Sequence, residues 1–182
     1  MQIFPGEGLF IVLIEGSDRL YQERALLNRW RFIILEISTG NKLMPHVFTY
    51  GSLMFDRVWN LVVEGQYDKS TATLPNYTRK AVVAEEVPVI FSHPAPSEVV
   101  GILYFNVSET DLDRLDQFEG HLYARKQEQV LLDDTTPLLA EVYVVKNRYR
   151  HIVSENDWDP VHFKTTAIKK FMKNYMGFNR SA

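Results

Sequence analysis

Two short stretches gather residue types that can do chemistry on a small molecule: Tyr50-Gly51-Ser52-Leu53, and Phe118-Glu119-Gly120 followed by Tyr123 and Arg125. The first lies where a short strand, Val47 to Tyr50, runs into a Gly-Ser turn and a helix starting near Met54. Such a turn points several backbone N–H groups one way and makes an anion-binding pocket. Gly51 has no Cβ to hold a ligand off the backbone. Taken alone, these four residues also read as an ordinary strand-to-helix turn. Ser52 invites a nucleophile reading, but Gly-Ser-Leu lacks the Gly-x-Ser-x-Gly elbow and no histidine stands nearby in a recognisable arrangement. In the second stretch, Glu119 closes a helical pattern of Leu112, Leu115 and Phe118, beside Gly120. Burial there would raise its pKa into the range of a general acid–base group. The plain alternative is a glutamate pointing into solvent, although a carboxylate at a helix C-terminus gains nothing from the macrodipole. Tyr123 reads either as ligand-facing or as a core aromatic of a strand. Arg125 shares its side of that strand, and reads either as a partner for Glu119 or an acidic ligand group, or as a solvated surface arginine.

Other chemistries lack their residues. There are no cysteines, which removes thiol nucleophiles, disulfides and thiolate metal sites. His46, His93, His121, His151 and His162 show no paired metal spacing and none lies in an HExxH pattern. Asp111, Asp113, Asp116 and Glu119 share a helical stretch and read as a solvated acidic face. A net charge of −3 and a pI near 6.0 give no basic footprint for nucleic acid. No apolar run approaches membrane-spanning length. Leu9–Ile14 lacks a basic leader and is closed by Glu15, a poor signal peptide. A soluble cytoplasmic protein is the expectation.

The elements that must position these residues follow from periodicity and punctuation. With 182 residues, 46% of them hydrophobic, one compact domain with a sizeable core is available. Residues 1–43 form a separate compositional block, with a strand at Phe10–Ile14 and an amphipathic helix at Asp18–Ile37. This block reads either as an N-terminal extension or as an upstream stretch included by choice of start codon; the domain proper spans 44–182. Phe55–Glu64 suits a short helix. Strands are expected at Ala72–Leu74, Thr78–Glu85, Val89–Phe91, Val99–Asn106, Lys126–Leu132 and Ala140–Val145. Ser108 caps the Leu112/Leu115/Phe118 helix and Gly120 ends it. Asp159-Pro160 opens a final helix with Phe163, Ile168, Phe171 and Tyr175 as its apolar positions. Runs of strands with a few helices argue an α+β fold.

The order and spacing of Phe48-Thr-Tyr-Gly-Ser-Leu53, Gly101-Ile-Leu-Tyr-Phe105 and Leu115-Asp-Gln-Phe-Glu-Gly120, with Tyr123 and Arg125, resemble the gamma-glutamyl cyclotransferase-like family. The likeness is to the branch of gamma-glutamylamine cyclotransferases and avirulence-induced-gene-type proteins, and it runs from about His46 to about Lys146. Leu53 stands where the larger glutathione-linked branches often carry asparagine, a departure that bears on substrate more than fold. The resemblance implies a small mixed β-barrel flanked by helices. It also implies a small-molecule gamma-glutamyl substrate whose α-amino group attacks its own side-chain amide, closing 5-oxoproline and expelling an amine, with no cofactor or metal. Glu119 would serve as base and then acid. The backbone of Tyr50, Gly51, Ser52 and Leu53 would hold the substrate's α-carboxylate, and Tyr123 and Arg125 would be further substrate-binding residues. The alternative is a non-catalytic binding or interaction module on the same fold.

Overall fold

The computed structural model describes residues 44–178 apart from 84, 94, 95 and 134. The strand expected at Phe10–Ile14, the helix expected at Asp18–Ile37 and the side chain of Tyr175 lie outside the described residues. Among the described residues there are eight strands: β1 (Val47–Thr49), β2 (Lys69–Pro75), β3 (Tyr77–Val82), β4 (Pro88–Ser92), β5 (Glu98–Tyr104), β6 (Tyr123–Leu132), β7 (Pro137–Val145) and β8 (Val153–Asp157). Five of them close a barrel in the order β1-β5-β2-β6-β7, and β4-β3-β8 form a separate three-stranded sheet. The barrel is mixed because β1 runs antiparallel to β5 but parallel to β7.

Side-chain alternation fixes which way each barrel strand faces. On β7, Ala140, Val142 and Val144 fill the barrel interior, where they meet Phe48, Leu74, Val99, Leu103 and Val130. Tyr143, between them, joins the outer core. That outer core holds Val47, Trp59, Tyr104, Leu112, Leu115, Trp158 and Phe163, and it is where the helices pack on the barrel. β1 obeys the same rule over three residues: Phe48 goes in and Val47 goes out.

The strand-to-helix passage after β1 is tighter than the sequence indicated. A 3₁₀ turn, Ser52–Met54, comes first, and helix α1 (Asp56–Val62) follows. α1 buries Val58, Trp59 and Val62 on one side. Helix α2 (Glu109–Glu119) starts at Ser108, whose hydroxyl accepts a hydrogen bond from the Asp111 N–H at 3.2 Å. It stops at Gly120, whose φ of +64° an L side chain rarely adopts. Asp159 caps the last helical segment by accepting from the Val161 N–H at 2.7 Å, with Pro160 in the first turn. One turn of α-helix leads into a π-helical stretch, Phe163–Ala167, and then into α3 (Ile168–Phe178). Phe163 is fully buried there, stacked on Phe55 at 5.5 Å and tilted against Trp158 at 5.3 Å.

Candidate active site

A cavity of about 220 Å³ opens where the end of β1, the end of α2 and the start of β6 come together. Tyr50, Gly51, Ser52 and Leu53 line one part of it, and Glu119 and Tyr123 another. Apolar wall is added by Phe48, Val87, Pro88, Phe118, Leu122 and Phe171. Among the described residues, no lysine, arginine or histidine side chain lines it.

Glu119 is the last residue of α2, and the left-handed turn at Gly120 sends the chain away immediately after it. The residue as a whole is partly buried, and it lines the cavity. Among the described residues it makes no hydrogen bond or ion pair. Burial alone raises its pKa from the ordinary carboxylate range to about 8. Three tyrosines feel its charge: burial raises the phenols of Tyr50, Tyr123 and Tyr143, and a negative Glu119 pushes each further. Their hydroxyls are committed elsewhere. Tyr50 donates to the Tyr143 carbonyl at 2.6 Å, Tyr123 to the Pro88 carbonyl at 2.8 Å, and Tyr143 to Asp116 at 2.7 Å. So the tyrosines build rigid walls around Glu119 and leave its oxygens unclaimed.

The opposite wall is backbone. In the 3₁₀ turn the first internal bond is donated by Met54 to the Gly51 carbonyl at 3.0 Å, and the next by Phe55 to Ser52 at 3.2 Å. The N–H groups of Gly51, Ser52 and Leu53 precede these bonds and are not consumed by the turn. Gly51 is required for a reason the sequence did not reveal. A Cβ built there would sit 2.7 Å from Pro88 Cγ, so the absent side chain makes room for β4, not only for a ligand. Both Ser52 and Leu53 are buried in the cavity wall.

Arg125 is the predicted site residue that the structure does not bring into this cavity. It shares a side of β6 with Tyr123, as strand alternation requires, but lies in a neighbouring polar hollow with Asp116, Glu141 and Lys146. There its Nε is 3.0 Å from Asp116 and its Nη1 3.8 Å from Glu141. Of the alternatives read for Arg125, neither the pairing with Glu119 nor a purely solvated arginine describes it: it pairs with Asp116.

Several supporting residues escaped the sequence reading. Asp111 belongs to no solvated face: it is 2% exposed and accepts from the Glu64 and Gly65 N–H groups at 3.0 and 2.8 Å and from Tyr67 at 2.6 Å. Arg114 donates to it at 2.7 Å. Burial opposes this charge, but those donors outweigh it and hold the carboxyl down to about 2. Asp111 thereby ties the end of α1, the helix that follows the Tyr50–Leu53 wall, to the start of α2, the helix that ends at Glu119. Arg79 on β3 donates from Nη1 to the Tyr50 carbonyl at 2.9 Å and to the Val100 carbonyl at 3.3 Å. Phe171 of α3 closes one side of the cavity and meets Phe118 edge-on at 6.4 Å. The only available sequence signal for Phe171 was helical spacing, which cannot tell a cavity wall from a packed core.

Among the described residues, no helix is long and apolar enough to cross a membrane. Residues 47–160 match the family model described as gamma-glutamyl cyclotransferase, AIG2-like. The AIG2-like protein D of Arabidopsis thaliana is 37% identical over 138 residues, covering 74% of this chain and 89% of that protein. A solution structure of an Arabidopsis thaliana protein superimposes with a TM-score of 0.56 at 25% identity, covering 74% of this chain and 89% of the other. A structure titled gamma-glutamyl cyclotransferase shares the fold, with a TM-score of 0.51 at 18% identity over 57% of this chain and 67% of its own.

Proposed function

Because the chain belongs to the AIG2-like gamma-glutamyl cyclotransferase family, we propose that it releases 5-oxoproline and an amine from a small gamma-glutamyl compound, with Glu119 as the proton carrier. What supports this reading is that Glu119, without a hydrogen-bond or ion-pair partner among the described residues and with its pKa raised to about 8, lines one cavity with the Tyr50–Leu53 segment.

In the proposed reaction the substrate's α-carboxylate accepts hydrogen bonds from the free N–H groups at 51–53, and the Ser52 hydroxyl adds a donor. That contact holds the gamma-glutamyl chain curled, with its α-nitrogen near its own γ-carbonyl. Intramolecular attack from such a pose carries effective molarities of ~10⁵–10⁸ M. Glu119 as carboxylate takes a proton from the α-ammonium. The amine lone pair then forms a C–N bond to the γ-carbon, giving a tetrahedral centre. As that centre collapses, the bond to the departing nitrogen breaks and Glu119 returns its proton to that nitrogen, so an amine leaves and not an amide anion. The second proton lost by the ring nitrogen ends on the departing amine or in solvent. A carboxyl held at about 8 exchanges protons with an amine far more evenly than one at an ordinary 4.5. The walls are largely apolar, and water takes no part in ring closure.

The test is a screen of gamma-glutamyl amines, amino acids and peptides for 5-oxoproline release by the purified protein. Release that disappears in Glu119→Gln supports the proposal. Tight binding of 5-oxoproline without release from any member of the panel would point instead to a binding module.

A further inference from the structure

Among the described residues no cationic side chain lines the cavity, so a carboxylate bound there would need another source of positive potential. Arg79 lies outside the cavity, directly behind the Tyr50–Gly51 peptide. Its guanidinium is partly buried, 5.3 Å above the Trp158 ring, and among the described residues it makes no ion pair within contact distance. The hydrogen bond it donates at 2.9 Å goes to the Tyr50 carbonyl. That carbonyl and the Gly51 N–H belong to one trans peptide unit, in which C=O and N–H point in opposite directions. With the oxygen facing Arg79, the N–H faces away from it, on the side where Gly51 lines the cavity. It has no acceptor among the described residues.

We infer that Arg79 is a positioning residue for anion binding: it locks the Tyr50–Gly51 peptide with its N–H toward the cavity and polarises that N–H through the peptide bond, so that the site prefers a carboxylate over a neutral group at the same place. The physical basis is cooperative. A charged donor on the carbonyl oxygen draws electron density from the amide nitrogen and strengthens its N–H as a donor. The guanidinium also supplies a fixed positive charge behind the turn without occupying ligand space. This inference rests on the reading of residues 51–53 as the carboxylate site.

The experiment compares two ligands that differ only at this group, 5-oxoproline and its neutral amide, 5-oxoprolinamide. Their affinities are measured by calorimetry on the wild type and on Arg79→Gln, which keeps a polar side chain but removes both the charge and the Nη1 donor to the Tyr50 carbonyl. The expected result is a loss of about tenfold for 5-oxoproline, the worth of the charge-assisted component, with less than about twofold for the amide. Equal losses for both ligands would mean that Arg79 only supports the fold, and no loss for either would mean that it does nothing here; each overturns the inference and leaves the proposed function standing. No binding of 5-oxoproline to the wild type overturns the inference, while the proposed function is decided separately by 5-oxoproline release. The Gly51 N–H resonance of the wild type gives a second readout that does not depend on any variant folding. It should move downfield with 5-oxoproline and much less with the amide, and an unmoved Gly51 refutes the stated orientation.

Discussion

Replacing Glu119 by glutamine should do two opposite things at once, and the structure sets the size of both. The substitution keeps the shape of the side chain and removes its proton. Turnover should fall by ~10²–10⁴-fold, the usual contribution of a general acid–base group, and toward the upper end because one residue serves both transfers. The same change should stabilise the protein in a pH-dependent way. Glu119 has its pKa raised from 4.5 to about 8 in the fold. Between those values the unfolded chain has released the proton while the folded one still holds it, so wild-type stability falls as pH rises through that window. At ~1.36 kcal/mol per pKa unit the ceiling is ~5 kcal/mol. The cavity is open and the residue only partly buried, so roughly 1–3 kcal/mol is the working figure after screening. Glutamine does not titrate and lacks this loss. Urea melts of both proteins at pH 5, 7 and 9 should therefore show a stability gap that opens with pH and levels off above about 8. A gap of the same size at all three values refutes the raised pKa. Wild-type turnover of a confirmed substrate by the variant refutes the catalytic role. The activity of the wild type should itself rise with pH through about 8, as the base form is populated.

Three further outcomes follow from particular contacts. Ser52→Ala should raise KM about fivefold, the worth of one hydrogen bond of ~1 kcal/mol, with kcat nearly unchanged in steady-state assays. Asp111→Asn leaves one acceptor oxygen, sets an amide N–H₂ against two of the four donors and removes the charge, and should cost about 3 kcal/mol in urea unfolding at pH 7. Since Asp111 has its pKa lowered to about 2, that contribution is present above pH 3.8 and should vanish as pH falls through about 2. Gly51→Ala should lower stability by ~1–3 kcal/mol even without ligand, because its Cβ meets Pro88; an unchanged melting temperature would show that β4 gives way freely.

The sequence disclosed what depends on local pattern and hid what depends on long-range approach. Ser108, Gly120 and Asp159-Pro160 mark helix ends by chemistry that acts within a few residues, and these caps stand where the pattern put them. β7 was readable, though begun too late, because it alternates over a buried interior. β8 was not: Val-Ser-Glu-Asn-Asp carries almost no apolar signal and is held by pairing with β3 and by the Lys80–Asp157 ion pair at 2.6 Å. The candidate site divides the same way. Tyr50–Leu53 and Glu119 could be picked out by motif, and the fold brings them to one cavity. Arg79, Asp111 and Pro88 act on residues 29, 47 and 35 positions away, and a single sequence holds no trace of such contacts. Arg125 shows the converse error: periodicity gave the correct side of the strand but could not say that Asp116 stood nearer than Glu119.

The shortest strand of the barrel has the longest wait. β1 has three residues, and the turn that carries the free N–H groups hangs directly from its end. One of its two neighbours, β7, pairs Phe48 with Val142, so the barrel cannot close until the last of its strands has been made. During synthesis at ~5–20 residues per second, the roughly ninety residues between these partners take about 5–20 s to appear. Over that interval Tyr50–Leu53 has left the ribosome without the scaffold that orients it. The pocket is thus among the last parts of the domain to acquire its shape, and a nascent chain halted anywhere before β7 would present no such pocket at all.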